Sequence, residues 1–162
     1  MIVVDAALMV DALTDDGPAG DAAQAELAVD PHWAAPEHLR VEVTSAIRGR
    51  WLAGKLSDER ADAAVRTLNQ LTIGYAAWNE LAGRVWELRR NVTPYNAAYL
   101  ALAEARGCRL VTSDGKLRDC PGRRCDVHVV TPGRRRAGSA TPALTRAGRR
   151  SRGLPSASAW PP

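Results

Sequence analysis

No stretch of this 162-residue chain approaches the ~20 consecutive apolar residues that a membrane span requires. The apolar start MIVVDAALMVDAL is interrupted by Asp5 and Asp11 and carries no basic leader, so neither a secretory signal nor a membrane partner is expected, and the expected location is cytoplasmic. Cysteine is scarce. Cys108, Cys120 and Cys125 are odd in number and suit a reducing compartment better than a disulfide framework. With His128 the last two spell C-x4-C-x2-H, which is not a standard zinc spacing, and ordinary core or surface cysteines are the better reading. Neither a G-x-G-x-x-G nor a Walker sequence occurs, which argues against a nucleotide-binding module. Acid is absent from Gly133 to Pro162, a segment holding seven arginines.

What is present is 46% hydrophobic, enough for one compact domain with a real core. Residues 1–132 hold the other fifteen basic side chains and all 18 acids, so this body has a formal charge of −3 against +7 for the tail. The basic balance of the whole chain belongs to the tail. Residues 133–162 are rich in Arg, Pro, Ser and Gly, with Leu144 and Leu154 the only aliphatic side chains larger than Ala. Such a segment buries too little apolar area to offset its chain entropy and is expected to be disordered. A loose affinity for RNA phosphates and a dispensable extension both fit it.

The body alternates strand and helix. Ile2 to Val4 suits a buried strand ending at Asp5, followed by helix-favouring AALMVDAL. Asp16-Gly17-Pro18 breaks the chain before a helix over Ala19 to Leu27, and His32 to Ala35 reads as a second strand stopped by Pro36. From Glu37 to about Ala53, Leu39, Val43, Ala46, Ile47 and Trp51 recur at helical spacing. Ser57 is an N-cap for a helix to about Leu71, and Trp78 to Arg90 forms another, with Leu81, Val85 and Leu88 on one face. Thr93 with Pro94 as first helical residue starts a helix that ends at Gly107. Arg109 to Thr112 and Val127 to Val130 are the remaining strands. Strands separated by helices imply right-handed crossovers and a small, mainly parallel sheet covered on both sides, a three-layer α/β/α architecture.

Four side chains stand out in this frame. Asp5 and Asp114 fall at the carboxyl ends of strands, the edge where open α/β sheets place ligands. Glu42 lies on the flank of a buried helical stripe, where an acid is costly without a partner. Asn96 sits in the first turn of its helix, near unpaired backbone N–H groups. Carboxylates gathered into one pocket repel one another by roughly 4 kcal/mol at about 4 Å and an effective dielectric near 20, and a divalent cation reverses that sign. Oxygen donors without His or Cys favour Mg²⁺ or Mn²⁺. Each residue also has a plainer reading. Asp5 can cap the following helix, Glu42 can be a surface acid, Asn96 an ordinary first-turn residue, and Asp114 in Ser113-Asp114-Gly115 a turn former. Arg40, Arg48, Arg50 and Lys116 can supply positive charge beside the cleft or belong to solvated faces. Trp33, Trp51, Trp78 and Trp86 read as core or dimer contacts in preference to base-stacking platforms.

The strand end VVDA, the helical Glu42, the block NVTPYNAAYLALA and the strand end LVTSD together resemble the PIN-domain ribonucleases, and within them the VapC toxins of type II toxin–antitoxin pairs. The likeness runs from Met1 to about Thr131, which makes residues 1–132 the expected PIN domain and leaves out the tail. It implies a PIN-like fold and an endoribonuclease dependent on Mg²⁺, with Mn²⁺ as a substitute, that cuts cellular RNA such as tRNA or rRNA. By position, Asp5 would be the central metal ligand, Asn96 and Asp114 would bind metal directly or through water, Glu42 would hold or help activate a metal-bound water, and the Thr112 hydroxyl would orient the acids. A homodimer and a VapB-like antitoxin lying across the cleft are implied as well. One departure stands out: the family pattern has Asp where this chain has Asn96, which cuts the formal negative charge of the site from four to three. A catalytically weakened or silent homologue that binds antitoxin or RNA without cutting is therefore the alternative function. An Asp-nucleophile phosphotransferase is disfavoured because Ala7 stands where a second Asp would be needed.

Overall fold

Hydrophobic runs too short to form anything but buried strands set the centre of the molecule. The computed structural model describes residues 1–132, so the expectation of a disordered tail lies outside the described residues. Strand β1 (Ile2–Val4) is wholly buried and leads into helix α1 (Ala6–Thr14) through Asp5, whose side chain caps the helix. Helix α2 (Pro18–Leu27) starts on the proline itself, its fixed φ and missing N–H being suited to the first helical position. The corner between the two helices is tight: a Cβ at Gly20 would stand 1.8 Å from the Asp15 carbonyl oxygen, so only glycine fits. Strand β2 (Trp33–Pro36), helices α3 (Leu39–Leu52) and α4 (Asp58–Gln70), strand β3 (Gly74–Ala76), helices α5 (Trp78–Glu87) and α6 (Pro94–Arg106), and strands β4 (Leu110–Thr112) and β5 (Val127–Val129) follow. Gly107 ends α6 with φ +60°, a left-handed cap that glycine adopts without strain.

All five strands are parallel, in the order β3-β2-β1-β4-β5. The chain moves from β1 outward to β3, then returns to the other side of β1 for β4 and β5. Right-handed crossovers therefore put α1 to α4 on one face and the α5–α6 pair on the other. The packing agrees: α1 meets α2, α3 and α4, α5 packs on α6, and α6 lies against β1, β2 and β4. The direction of winding reverses between β1 and β4, and their carboxyl ends open the crevice where doubly wound sheets place their ligands.

Two expectations need correction. Strand β3 has no apolar run of its own; its residues are exposed, exposed and buried in turn, and it exists because its backbone pairs with β2 through Ala34 with Gly74, Ala35 with Tyr75 and Pro36 with Ala76. The buried face of α3 is also narrower than its periodicity suggests. Leu39, Val43 and Ile47 enter the core, whereas Ala46 is exposed and Trp51 is 42% exposed, donating its indole N–H to Asp58. Of the four tryptophans read as core or dimer contacts, only Trp33 is in the core.

Candidate active site

Asp5 and Asp114 are 109 positions apart in sequence, but their strands are neighbours in the sheet, β1 pairing with β4 through Val4 and Val111. Only 5% of Asp5 is exposed. Its Oδ1 accepts the Leu8 backbone N–H at 2.8 Å, which is the helix cap, and its Oδ2 accepts the Thr112 hydroxyl at 2.5 Å. Thr112, fully buried, in turn accepts the Asp114 backbone N–H at 2.8 Å. One hydroxyl thus joins the first carboxylate to the backbone of the second. The Asp114 side chain caps the short 3-10 turn Gly115–Leu117 by accepting the Lys116 N–H at 3.0 Å. The plain readings of Asp5 as a helix cap and Asp114 as a turn former therefore hold, and in both the bond fixes the carboxylate's direction.

Burial pushes the Asp5 carboxyl up to about 7, against the pull of its bonds from Thr112 and Leu8 and with further push from the charges of Asp114 and Glu42. An aspartate that resists ionisation at neutral pH and lies within the field of two other acids is a position that a cation would relieve. Glu42 is of the opposite kind. Burial raises its carboxyl, but His38 and Tyr99 outweigh burial and hold it below the usual range. The Tyr99 hydroxyl donates to Glu42 Oε2 at 2.6 Å. His38 Nε2 lies 3.3 Å from the same oxygen, and its contact lowers the carboxyl together with the Tyr99 bond. Both residues escaped the sequence reading, although His38 stands one turn before Glu42 and could have been found at that i, i+4 spacing.

Asn96 lies in the first turn of α6, its backbone N–H bonded to the Thr93 hydroxyl at 3.3 Å. Helix α6 packs on β1 and β4, which sets this turn near the carboxyl edge, but no hydrogen bond to a described residue fixes the Asn96 amide. Among the described residues, no three His, Cys, Asp or Glu side chains form a group able to hold a metal. Asp5, Glu42 and Asp114 therefore do not converge into such a group: Glu42 is drawn toward Tyr99 and His38, and Asn96 is tied only through its backbone to Thr93. The donor chemistry still fits a hard cation, since Asp5, Glu42, Asn96 and Asp114 offer only oxygen ligands. The Cys120, Cys125 and His128 set makes no such group; both cysteines are buried and His128 faces Glu26 at 3.5 Å.

A cleft of about 630 Å³ is lined by Ala6, Asp11, Glu42, Ser45, Arg50 and Tyr95 among others, so that of the four site residues only Glu42 forms part of its wall. Arg50 is fully engaged there, donating to Asp11 at 2.7 Å and to Thr14 at 2.6 Å, while Ser113 donates to the other Asp11 oxygen at 2.8 Å. Arg40 is held by the Tyr75 hydroxyl and the Leu71 carbonyl. Arg48 and Lys116 are exposed and pair with no described acid, so these two of the four anticipated cations remain available to an anion.

With this geometry in place, comparison with known proteins gives its context. The PIN domain family matches residues 2–122. Ribonuclease VapC1 of Mycobacterium tuberculosis is 38% identical over 129 residues, covering 79% of this chain and 96% of that protein. Ribonuclease VapC9 of the same species is 35% identical over 130 residues, covering 80% of this chain and 98% of its own length. Among solved structures, VapBC2 from Rickettsia felis bound to a promoter DNA fragment aligns with a TM-score of 0.60 at 13% identity, over 81% of this chain and 100% of that one, a likeness of fold alone.

Proposed function

The chain belongs to the PIN-domain family and, within it, to the VapC ribonucleases, and on that premise we propose how its own residues perform the metal-dependent endoribonuclease reaction of a toxin in a type II toxin–antitoxin pair. The observation that carries the assignment is the Asp5–Thr112–Asp114 link at the switch point of the sheet. Asp5, Asp114 and the Asn96 amide oxygen would hold a divalent cation, Mg²⁺ with Mn²⁺ as substitute. When bound, the cation lowers the pKa of a water and offsets the charge that builds on the scissile phosphate. Glu42 orients that water. Its Oε2 is taken by Tyr99, its Oε1 is left for a water proton, and its depressed carboxyl pKa keeps it ionised for that task. Lys116, beside Asp114, and Arg48 receive the flanking phosphates of an RNA strand, and hydrolysis leaves a 5′-phosphate on one product. A VapB-like antitoxin lying across the cleft and a homodimer complete the assembly, which acts in the cytoplasm; the body's formal charge of −3 suits an antitoxin that inserts a basic side chain.

The direct test is cleavage of a labelled tRNA and rRNA pool by the full chain with Mg²⁺, with Mn²⁺ and with EDTA. Cleavage is expected with either cation and none with the chelator; cutting that persists in EDTA overturns the metal assignment. Thr112→Val separates the hydroxyl from the bulk of the side chain. It leaves the Asp114 N–H and an Asp5 oxygen without partners in a buried site, expected to cost about 1–3 kcal/mol of stability in denaturant unfolding and roughly tenfold or more in cleavage rate. Thr112→Ser should recover most of both, and full activity in the Val variant would remove Thr112 from the site.

A further inference from the structure

A second cavity, of about 420 Å³, opens on the same edge of the sheet and has no part in the chemistry described so far. Its walls come from the end of β2 (Glu37, His38), the start of α5 (Trp78, Leu81) and the start of α6 (Tyr95, Ala98). These are carboxyl-end positions of the strand beside β1, so the cavity lies about 5–10 Å along the edge from Asp5, one to two strand spacings. It joins the acidic cleft directly. Tyr95 lines both cavities, and the His38 ring, packed edge-on against Tyr95 and Tyr99, lies 3.3 Å from Glu42.

The chemistry of the walls selects the occupant. Trp78 is 49% exposed and Tyr95 59%, large rings left open where folding alone would bury them. A phosphate is unsuited to a space lined by aromatic and aliphatic carbon with the Glu37 carboxylate at its rim. One Glu37 oxygen accepts the Trp78 backbone N–H at 3.1 Å, which leaves the other for an outside donor such as the amino or ring N–H edge of a base. We propose that this cavity holds one unpaired nucleobase of the RNA strand whose phosphate lies at Asp5 and Asp114, stacked on Trp78 and Tyr95. Stacking on these rings needs a base whose faces are free, which an unpaired base offers and a duplex does not. This inference rests on the RNA-cleaving reading and adds to it a base-binding subsite built by Trp78, Tyr95 and Glu37.

The test measures binding apart from cleavage. In the full chain carrying Asp5→Asn to block turnover, fluorescence anisotropy follows a short fluorescein-labelled, mixed-sequence single-stranded RNA and the same backbone with abasic residues. Trp78→Ala is expected to weaken binding of the base-bearing RNA by roughly 5- to 150-fold, to leave the weak binding of the abasic strand unchanged, and to elute at the wild-type position in size-exclusion chromatography; Trp78→Phe should retain most of the affinity. Equal affinity of Trp78→Ala and its parent for base-bearing RNA overturns the proposal. So does an equal loss for the abasic strand, or a change of oligomeric state, which would make the cavity a contact between copies. Cleavage by the chain with Asp5 intact is scored separately: a nuclease that cuts but ignores Trp78 disproves the cavity alone, and a chain that neither cuts nor binds RNA disproves both.

Discussion

Asp5→Asn is expected to reduce RNA cleavage by more than about 100-fold and at the same time to stabilise the metal-free protein at pH 8. The second effect follows from the buried carboxyl. In the folded chain Asp5 titrates at about 7, against an ordinary value of 3.8. Between those values the folded state binds the proton that the unfolded chain has released, so stability is complete below about pH 4 and falls as pH rises through 7. The full penalty is roughly 4 kcal/mol at about 1.4 kcal/mol per tenfold change in proton affinity, reduced by whatever Asn loses in replacing the bond from Thr112. Glu42 acts with the opposite sign, since its depressed carboxyl adds stability at high pH that is lost on acidification. The difference between wild type and Asp5→Asn isolates the Asp5 contribution. Thermal unfolding in EDTA should give a variant more stable than wild type at pH 8 and nearly equal to it at pH 4. Mg²⁺ should then raise the wild-type midpoint at pH 8 and leave that of the variant unchanged, because a ligand stabilises only the state that binds it. A pH-independent difference, or a variant that still cuts RNA, would show that Asp5 is a capping residue and nothing more.

How far the fold could be read in advance depended on where the information for each element lies. Strands β1 and β4 carry their own apolar runs, and α6 announces itself with Thr93, Pro94 and Gly107, so these elements agree with the sequence reading to within a residue or so. Strand β3 carries no such signal. Its Gly74 and Tyr75 are exposed, and its pairing with β2 is a property of the assembled sheet. The Ala46 and Trp51 misplacement on α3 has a related cause: helical spacing defines a stripe, but the width of the neighbouring surface, here α1 and α4, decides how much of it is covered.

The site divides in the same way. The meeting of Asp5 with the Thr112–Asp114 segment was legible because β1 and β4 end side by side at the carboxyl edge of the sheet, whereas Thr112 itself was singled out by the resemblance. The partners of Glu42 were missed. Tyr99 lies 57 positions away, on a helix from the opposite layer, and only the crossing of α3 and α6 over the sheet edge brings its hydroxyl to Oε2. Glu42 was anticipated as an acid needing compensation on the flank of a buried stripe, and the compensation came as a phenol with no periodicity to give it away and an imidazole at an i, i+4 spacing that was passed over. The exposed ring of Trp78 was hidden for a further reason. An aromatic residue beside apolar neighbours reads as core, and exposure is decided by what the rest of the chain fails to cover.

Asn96→Asp is expected to raise both cation affinity and cleavage, each by on the order of ten- to a hundredfold. In the proposed site the amide oxygen at position 96 would ligate a hard cation as a neutral dipole, whereas a carboxylate would restore the fourth formal charge. That charge has a cost in the absence of metal. The carboxyl of Asp5 is already raised by burial and further by the charges of Asp114 and Glu42, and another anion on the α6 turn would push it up again, so the variant should unfold at lower temperature in EDTA at pH 8 than wild type does. With Mg²⁺ present the order should reverse, since the cation removes the repulsion and gains a charged ligand. A crossing of this kind, less stable without metal and more active with it, distinguishes a metal position from an ordinary first-turn residue of α6, where Asp would simply favour the helix N-terminus and stabilise in both conditions. The Mg²⁺ dependence of the cleavage rate should shift to lower concentration in the variant. An unchanged midpoint together with unchanged cleavage would place position 96 outside the site and leave Asp5, Glu42 and Asp114 to hold the cation alone.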